Sequence, residues 1–223
     1  MIKFFAVLGL LVAGGYICWR YRWFFRDPDR KPPEGRNIVA PADGKVVYVH
    51  LAEDGRLPIA LKRGQPIRLE EVAKTALSPG RYWHVGIFMF PWSVHVNRIP
   101  VDGEVAFTLH HAHPNRPMSN MYIRGVLGLK PMYEQGLHIT ENERNTVLVD
   151  GDLPTYVVQI ADAYVNKIEC WVSPGDKVCK GQRLGRIIMG SQVDLIFPDR
   201  DGMTLVVTEG QLVKAGETIV ARY

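Results

Sequence analysis

Apolar residues are unevenly distributed along the chain, and their longest uninterrupted run lies close to the N-terminus. Residues 4–19 carry no charge, and as a helix at ~1.5 Å per residue they would extend about 24 Å, short of a ~30 Å hydrocarbon core. Tyr, Trp and Arg residues cluster at the end of this run, as is typical of the lipid–water boundary. Because no small-x-small cleavage site follows, the pattern favours a membrane anchor over residues 1–23 rather than a cleaved signal peptide.

A basic, proline-rich stretch follows the predicted anchor. Its basic residues, which lie on the C-terminal side of the apolar run, predict that the folded body faces the cytoplasm. Residues 24–37 are expected to form a stiff linker, and residues 38–223 the folded domain. Together with this position of the basic residues, the net charge of +4 indicates an anionic membrane as the binding partner. A nucleic-acid-binding protein would more often carry a basic stripe on the folded body itself.

Short apolar runs separated by Gly and Pro dominate the body and predict many short strands. PADGKV (41–46) recurs as PVDGEV (100–105), each an Asp-Gly turn that opens a β-branched run. A second pattern, V-x-x-G-x-x-V-x-x-G-x-x-[LI], begins at Val172 and again at Val207. In such a pattern the glycines occupy tight turns and the aliphatic residues fill a small core. This arrangement resembles the barrel-sandwich fold of biotinyl and lipoyl carriers.

The segment between the two copies, RIIMGSQVDLIFP (186–198), predicts a hairpin with Gly190 and Ser191 near its bend. Helical patterns are confined to residues 69–77 and, more weakly, 125–136. We therefore expect a mainly β (α+β) fold of barrel-sandwich-like modules with few helices, preceded by the N-terminal membrane-anchoring helix.

The Gly190-Ser191 pair distinguishes two kinds of function. A biotinyl or lipoyl carrier needs a lysine at the hairpin tip, and there is no lysine between Gly181 and Lys214. A serine hydroxyl can instead attack the preceding carbonyl and move the acyl group from nitrogen to oxygen, and glycine relieves crowding at that carbonyl. Since Gly-Ser is also an ordinary turn dipeptide, the pair alone leaves both interpretations open.

Six segments in a fixed order carry a family resemblance. They are FFRDPDR (24–30), VAPADGKV (39–46), HVNRIPVDGEV (95–105), ENER (141–144), QIA (159–161) and GRIIMGSQVDLIFP (185–198). Together they resemble the short phosphatidylserine decarboxylase proenzymes of prokaryotes, a group with an archaetidylserine decarboxylase-like branch, from about Phe24 to the C-terminus.

That resemblance implies a self-cleaving decarboxylase. Cleavage between Gly190 and Ser191 would give a β chain, 1–190, and an α chain, 191–223, that remain together as a heterodimer. Ser191 would become a covalent pyruvoyl group, the only cofactor, which acts as an electron sink. The implied reaction converts phosphatidylserine, or a related serine phospholipid, to phosphatidylethanolamine with release of CO2, in phospholipid biosynthesis at the cell membrane.

The resemblance also assigns the residues that assist Ser191, which needs a base and a group to orient that base. The family's histidine falls on His95, and its Pro-x-Asp-Gly aspartate falls on Asp43, for which a plain Asp-Gly turn is the alternative interpretation. Longer members carry a second histidine where this chain has Arg98, so His95 would serve both cleavage and decarboxylation. Arg98 would hold a lipid phosphate or carboxylate by its planar fork, or would be a solvated strand-end arginine.

Two other classes of function compete with this one. The first is a membrane-tethered, non-enzymatic carrier or adaptor module of the barrel-sandwich kind. The second is a zinc peptidase, for which His111 and His113 are the only support; with no carboxylate or cysteine nearby in sequence, we predict no metal. The three cysteines lack C-x-x-C spacing and indicate a reducing compartment. The oligomeric state beyond the two cleaved chains is left open.

Overall fold

The computed structural model describes residues 2–62, 65–133, 136–163, 167–188 and 190–223. Its helices are α1 (Ile2–Cys18), which continues as a π-helical segment (Trp19–Phe24), then α2 (Leu69–Ala73), α3 (Ser119–Leu127) and α4 (His138–Glu141). The first half of the strands are β1 (Asn37–Val39), β2 (Gly44–Ala52), β3 (Arg56–Lys62), β4 (Gln65–Arg68), β5 (Tyr82–Met89), β6 (Val96–Arg98), β7 (Gly103–His111) and β8 (Arg144–Asp150). The second half are β9 (Thr155–Ala161), β10 (Lys167–Cys170), β11 (Lys177–Val178), β12 (Arg183–Ile188), β13 (Ser191–Pro198), β14 (Thr204–Leu205), β15 (Leu212–Val213) and β16 (Ile219–Arg222).

One large antiparallel sheet organises the body. Its eight strands follow the order β11-β7-β8-β9-β13-β5-β2-β15, so that β13 lies in the interior between β9 and β5. Two three-stranded sheets, β10-β12-β6 and β1-β16-β14, and the β3-β4 pair complete the described strands. The predicted mainly β fold with an N-terminal apolar helix is confirmed.

The two sequence repeats prove to be parts of a single internal repeat. Strand β11 pairs with β7, which places Val178 opposite Gly103, and β15 pairs with β2, which places Val213 opposite Gly44. Each Asp-Gly strand therefore pairs with one copy of the V-x-x-G pattern. The pattern's glycines all have positive φ, which L residues rarely adopt: Gly175, Gly181, Gly210 and Gly216.

The core consists of two apolar clusters, and β13 contributes to both. Alternate residues of a strand point to opposite faces of its sheet. Accordingly, Val193 and Leu195 belong to the first cluster, and Ile196 belongs to the second. Burial of each such side chain stabilises the folded state by about 1.5–3 kcal/mol. Because β13 is buried, a charged residue on it is tolerated only if it is paired.

The hairpin predicted around Gly190 and Ser191 is wrong. Strand β12 pairs with β10 and β6, whereas β13 pairs with β5 and β9. The chain therefore passes from one sheet to another at Gly190. Alternation of apolar residues shows which face of a strand is buried, but it does not specify the neighbouring strand.

The two predicted helices differ from those found. The helix expected over 69–77 ends at Ala73, because Lys74 adopts the left-handed conformation with a φ of 56°. The helix expected over 125–136 is displaced towards the N-terminus as α3, which Gly128 ends with a φ of 69°. Residues 134–135 of that expectation lie outside the described residues.

The N-terminal apolar segment, Lys3–Phe24, is long and apolar enough to cross a membrane. The stretch predicted as a linker then lies against the body and does not extend away from it. Arg30 forms ion pairs with Asp43 at 2.9 Å and with Glu217 at 3.0 Å, and Asp27 pairs with Arg98 at 2.8 Å. These contacts fix the end of the apolar N-terminal segment relative to the sheets.

Candidate active site

Ser191 is the first residue of β13 and lies opposite Met89 of β5 and Ala161 of β9. It is fully buried, because strands flank it on both sides. Its hydroxyl contacts the Met89 Sδ atom at 3.2 Å. A thioether is a weak acceptor, so the serine proton is held loosely and remains available to a stronger base.

Gly190, which precedes the serine, occupies a position that only glycine fits. Its φ is 57°, and a Cβ atom there would lie 2.6 Å from Oδ2 of Asp162. Its carbonyl oxygen accepts a hydrogen bond from the Asp162 backbone N–H at 3.2 Å. The carbonyl next to Ser191 is thus held by a donor and lies in a backbone conformation disfavoured for other residues.

The Asp162 side chain is fixed beside this carbonyl. Its Oδ1 atom accepts hydrogen bonds from the backbone N–H groups of Met118, at 2.8 Å, and Ala163, at 2.6 Å. Burial raises the pKa of the Asp162 carboxyl, although these two hydrogen bonds oppose the shift. The result is a rigid turn that holds the Asp162 N–H against Gly190.

A cavity of about 260 Å³ opens beside the Gly190–Ser191 bond. Its lining is mostly apolar, with one carboxyl group: Phe88, Met89, Pro91, Met118, Ser119, Tyr122, Asp162 and Gly190. Such a cavity is large enough for a small polar head group. It also brings a ligand next to the residue that the sequence singled out.

His95 lies just before β6, the strand whose partner β12 leads into Gly190. It is 2% exposed, and its Nδ1 atom lies 2.9 Å from the Ser93 carbonyl oxygen. Because a carbonyl only accepts, Nδ1 carries the proton and Nε2 presents a lone pair. Nε2 is buried and has no hydrogen-bond partner among the described residues.

Burial lowers the pKa of His95 to about 4, with the nearby Arg26 charge acting in the same direction and the Ser93 hydrogen bond opposing it. The imidazole is therefore neutral at neutral pH. Phe24, the last residue of the π-helical segment, covers its ring at a centroid separation of 4.0 Å. The unprotonated Nε2 atom, which has no partner among the described residues, can accept a proton, as a general base must.

Asp43 is placed elsewhere. Its carboxylate binds Arg30 and accepts the Ala215 backbone N–H at 2.7 Å, whereas Nδ1 of His95 is bound to Ser93. Asp102, the equivalent residue of the internal repeat, accepts the Lys180 N–H in the same way at 2.8 Å. The turn interaction is thus common to both aspartates, and the Arg30 ion pair distinguishes Asp43.

Arg98 is buried, and its guanidinium is bound within the protein. It donates to the Gly181 carbonyl at 2.9 Å, and to Asp27 Oδ1 and the Pro28 carbonyl at 2.8 Å each. In this arrangement the planar fork holds the N-terminal segment on the body. These contacts differ from both interpretations of Arg98 offered by the sequence, a solvated strand-end arginine and a fork that holds a lipid phosphate or carboxylate.

Buried amides that the sequence analysis did not single out lie behind Ser191. Asn97 contacts the Met89 sulfur at 3.6 Å, Gln159 donates to Asn97 at 2.9 Å, and Asn145 donates to Gln159 at 3.0 Å. In the sequence these amides are polar residues inside apolar strands. Since buried polar groups need hydrogen-bond partners, that pattern could have predicted a buried polar cluster.

A second buried polar cluster occupies the opposite face of β13. Asp194 accepts from Tyr48 at 2.7 Å and lies 2.8 Å from Nε2 of His84, while Gln192 donates to Asp194 at 2.6 Å. His84 thus packs in the core. These groups satisfy one another on the side of the sheet away from Ser191, which explains how a charge is tolerated on β13.

The histidines that suggested a zinc peptidase are dispersed. The His111 and His113 rings are 6.3 Å apart, and His110 lies 3.2 Å from a carboxylate oxygen of Glu143. Within the part of the chain that the structure describes, no group of three or more His, Cys, Asp or Glu residues is placed to hold a metal ion.

Comparisons with known proteins place the chain in the class of decarboxylases. Residues 19–221 match the family model described as phosphatidylserine decarboxylase, and the chain belongs to that family. A protein of Methanocaldococcus jannaschii named as an archaetidylserine decarboxylase proenzyme is 36% identical over 225 residues, covering 98% of this chain and 95% of the relative.

Relatives carry names for two kinds of lipid. A Chlorobium luteolum protein named as a phosphatidylserine decarboxylase proenzyme is 34% identical over 90% of this chain and 78% of its own length. A Halobacterium salinarum protein named as an archaetidylserine decarboxylase proenzyme is 32% identical over 90% of this chain and 79% of its own length. The expected family and enzyme class are confirmed, and the non-enzymatic carrier is not supported.

Proposed function

We propose that this chain is a proenzyme that cleaves itself between Gly190 and Ser191 and then decarboxylates the serine head group of a membrane phospholipid. The observation that carries the proposal is the geometry at the Gly190–Ser191 bond. A buried serine hydroxyl that donates to a thioether sulfur follows a carbonyl in a disfavoured backbone conformation. Family membership supplies the reaction class.

Self-cleavage begins when the Ser191 Oγ attacks the Gly190 carbonyl carbon. A carbon–oxygen bond forms, the carbon–nitrogen bond breaks, and the released amine takes the proton, which leaves an ester. Elimination then removes the α-proton of residue 191 and expels the Gly190 carboxylate. Hydrolysis of the resulting dehydroalanine releases ammonia and completes a pyruvoyl group at position 191.

His95 is the base in this proposal. Its Nε2 presents a lone pair, and the lowered pKa, about 4, keeps the ring neutral at neutral pH. Its position before β6 relates it to Gly190 through the pairing of β6 with β12. We assign the same histidine to proton transfer during decarboxylation, because Arg98 replaces the second histidine of longer family members and is bound to Asp27.

The Asp162 backbone N–H stabilises the charge that develops on the Gly190 oxygen. It already donates to that oxygen at 3.2 Å, and a donor in place before the reaction needs no reorganisation as the oxyanion forms. Loss of one such donor typically costs about 10²–10³-fold in rate. The Asp162 carboxyl secures this donor by accepting the Met118 and Ala163 N–H groups.

Asp43 orients the base at a distance. It holds Arg30, and Arg30 fixes the segment that begins with Phe24, whose ring covers His95. In this proposal Asp43 is thus connected to His95 through packing and not through a hydrogen bond.

The site fits a pyruvoyl group, because residue 191 lies beside the cavity that Gly190, Met89 and Asp162 help to line. When present, that group supplies a carbonyl that accepts the electrons released as CO2 leaves. The protein's own contribution is to exclude water, to position the head group in the cavity and to deliver a proton to the former α-carbon. The product is the corresponding ethanolamine lipid.

Strand pairing explains how the two cleaved chains remain associated. The α chain would begin with β13, which is paired along its length with β5 and β9 of the β chain. Removing one peptide bond at the edge of β13 leaves this pairing intact. We therefore propose a tightly associated heterodimer as the active species.

The N-terminal helix would hold the site at the membrane. Arginines immediately after the apolar run favour a cytoplasmic orientation of the body. The tails of the lipid substrate, ester-linked or ether-linked, lie outside the reacting head group. Parallel assays with phosphatidylserine and archaetidylserine would distinguish the two sources of that head group.

Intact mass under denaturing conditions tests the proposal most directly. The purified protein should contain two polypeptides, one ending at Gly190 and one with a ketone in place of its N-terminal amine. Ser191→Ala should give a single folded, inactive chain, and Ser191→Thr serves as a control that retains a hydroxyl. An active preparation that consists of one uncut chain would refute self-cleavage at this bond.

A further inference from the structure

Helix α3 exposes a continuous apolar face to solvent. Its buried side consists of Met121 and Gly125. On the opposite side Tyr122, Ile123, Val126 and Leu127 are 38%, 53%, 57% and 65% exposed. These positions recur at the spacing that places residues on one helical face, and a contiguous apolar patch of this kind marks a contact surface.

Trp92 extends this face towards the N-terminal helix. It is 49% exposed, its ring stacks on Phe90 at 4.9 Å, and it lies 6.0 Å from the ring of Tyr122. Its backbone carbonyl accepts a hydrogen bond from Arg26, whose guanidinium also lies over the Trp23 ring at 4.7 Å. The patch is therefore continuous with the end of the apolar helix.

The same helix forms one wall of the cavity beside the Gly190–Ser191 bond. Met118, Ser119 and Tyr122 line that cavity together with Gly190. Tyr122 thus contributes both to the cavity wall and to the exposed face. A surface that contacts the apolar face would lie at the entrance to the cavity.

We propose that the exposed face of α3, together with Trp92, is a second lipid-contacting surface that seats the cavity entrance on the bilayer. Continuity with the anchor through Arg26 favours a membrane over a protein partner or a second copy of the chain. Trp and Tyr side chains prefer the lipid–water boundary, and an amphipathic helix can lie in that boundary without spanning it. Arg124 lies on the same helix, and its basic side chain, which donates to the Pro131 carbonyl at 2.8 Å, suits anionic lipid.

The inference rests on the proposed function for its consequence. A serine head group would enter the cavity while the lipid tails remain in the bilayer, so that the enzyme need not extract its substrate. The contact itself is independent of cleavage, since residues 92 and 119–127 belong to the β chain.

Quenching of Trp92 tests the contact in the full-length chain. The protein is reconstituted in phosphatidylcholine vesicles that contain phosphatidylglycerol and brominated acyl chains, and the signal of a Trp92→Phe variant is subtracted. We expect Trp92 to be quenched in the wild type and protected in Val126→Glu, because a charge at the lipid boundary opposes insertion. Val206→Glu is the matched control, since Val206 is similarly exposed, at 43%, outside α3.

Turnover gives a second measurement. The KM for lipid in vesicles should rise by about tenfold in Val126→Glu, as expected when an interfacial helix loses its membrane contact, with little change on a short-chain soluble substrate. Absence of Trp92 quenching in the wild type, or equal quenching in both glutamate variants, would overturn the proposal. A change of oligomeric state in Val126→Glu with unaltered quenching would instead indicate a second copy of the chain and also overturn it. Intact mass of the same samples reports self-cleavage separately.

Discussion

The phenyl ring of Phe24 stacks on the imidazole of His95, with 4.0 Å between ring centroids and 30° between ring planes. Phe24 ends the apolar N-terminal segment, and His95 is the candidate base. Phe24 is itself only 1% exposed, so the two rings shelter each other from water. The apolar N-terminal segment and the candidate active site are therefore in direct contact.

Replacing Phe24 with Ala should raise the pKa of His95 from about 4 towards its ordinary value of 6.5, because the imidazole would regain water. Self-cleavage should slow by about tenfold, less than the ~10²–10⁴-fold contribution of a general base, since the ring remains but is less well oriented. NMR titration of the histidine and the cleavage rate of newly made protein measure the two effects. Phe25→Ala is the control for a neighbouring ring, because Phe25 packs edge-on against Phe24 at 5.2 Å and against Arg20 and Arg186; an equal pKa shift in that variant would argue against a specific stacking effect of Phe24 on His95.

The internal repeat provides a matched pair of aspartates. Asp43→Asn and Asp102→Asn both retain an oxygen that can accept the backbone N–H of Ala215 or Lys180. Asp43→Asn also removes the charge that pairs with Arg30, so it should lower the free energy of unfolding by about 1–3 kcal/mol and slow cleavage. Asp102→Asn should do neither. Urea unfolding measures the stability of the two variants, and intact mass measures their cleavage. Identical behaviour of the two variants would indicate that Asp43 serves only as a turn residue.

Substitution of Gly190 should be more harmful than substitution of another glycine with positive φ. An alanine in the left-handed conformation costs about 1–2 kcal/mol at either position. At Gly190 the new Cβ would also meet Asp162 Oδ2 at 2.6 Å, whereas at Gly202, with a φ of 81°, it would meet nothing within 4 Å. The free energy of unfolding is compared between variants that also carry Ser191→Ala, so that all chains are uncut. The rate of cleavage is compared between variants that retain Ser191. Comparable losses in both variants would show that space at Gly190 is unimportant.

Acid should destabilise the folded chain through its buried histidines. Burial is the main cause that lowers the pKa values of His50, His95 and His138 to about 4 each, below the ordinary 6.5. Between those values the unfolded state binds more protons, so the free energy of unfolding should be constant above pH 6.5 and fall as the pH decreases towards 4. His138→Gln should weaken this dependence. A free energy of unfolding that does not change across this window would contradict the prediction.

Elements that depend on near neighbours could be predicted from the sequence. The Asp-Gly steps do open β2 and β7, and the glycines of the repeated pattern do lie in turns, because turn chemistry acts within a few residues. The hairpin at Gly190 could not be predicted correctly, since β12 and β13 find partners that are distant in the chain. Helix α3 was displaced for a similar reason: its buried side is defined by the body on which it packs.

From the residues alone, the Gly190-Ser191 step stands out as the candidate cleavage site, and the ordered motifs indicate the family and His95 as the candidate base. The surroundings of these candidate groups follow from the tertiary fold and not from the local sequence. Met89, which accepts from the Ser191 hydroxyl, is 102 positions away in the chain, and Phe24, which covers His95, ends the apolar N-terminal segment. Nucleophilicity and pKa depend on burial, charge and hydrogen-bond partners, and folding supplies all three from residues that no local pattern connects.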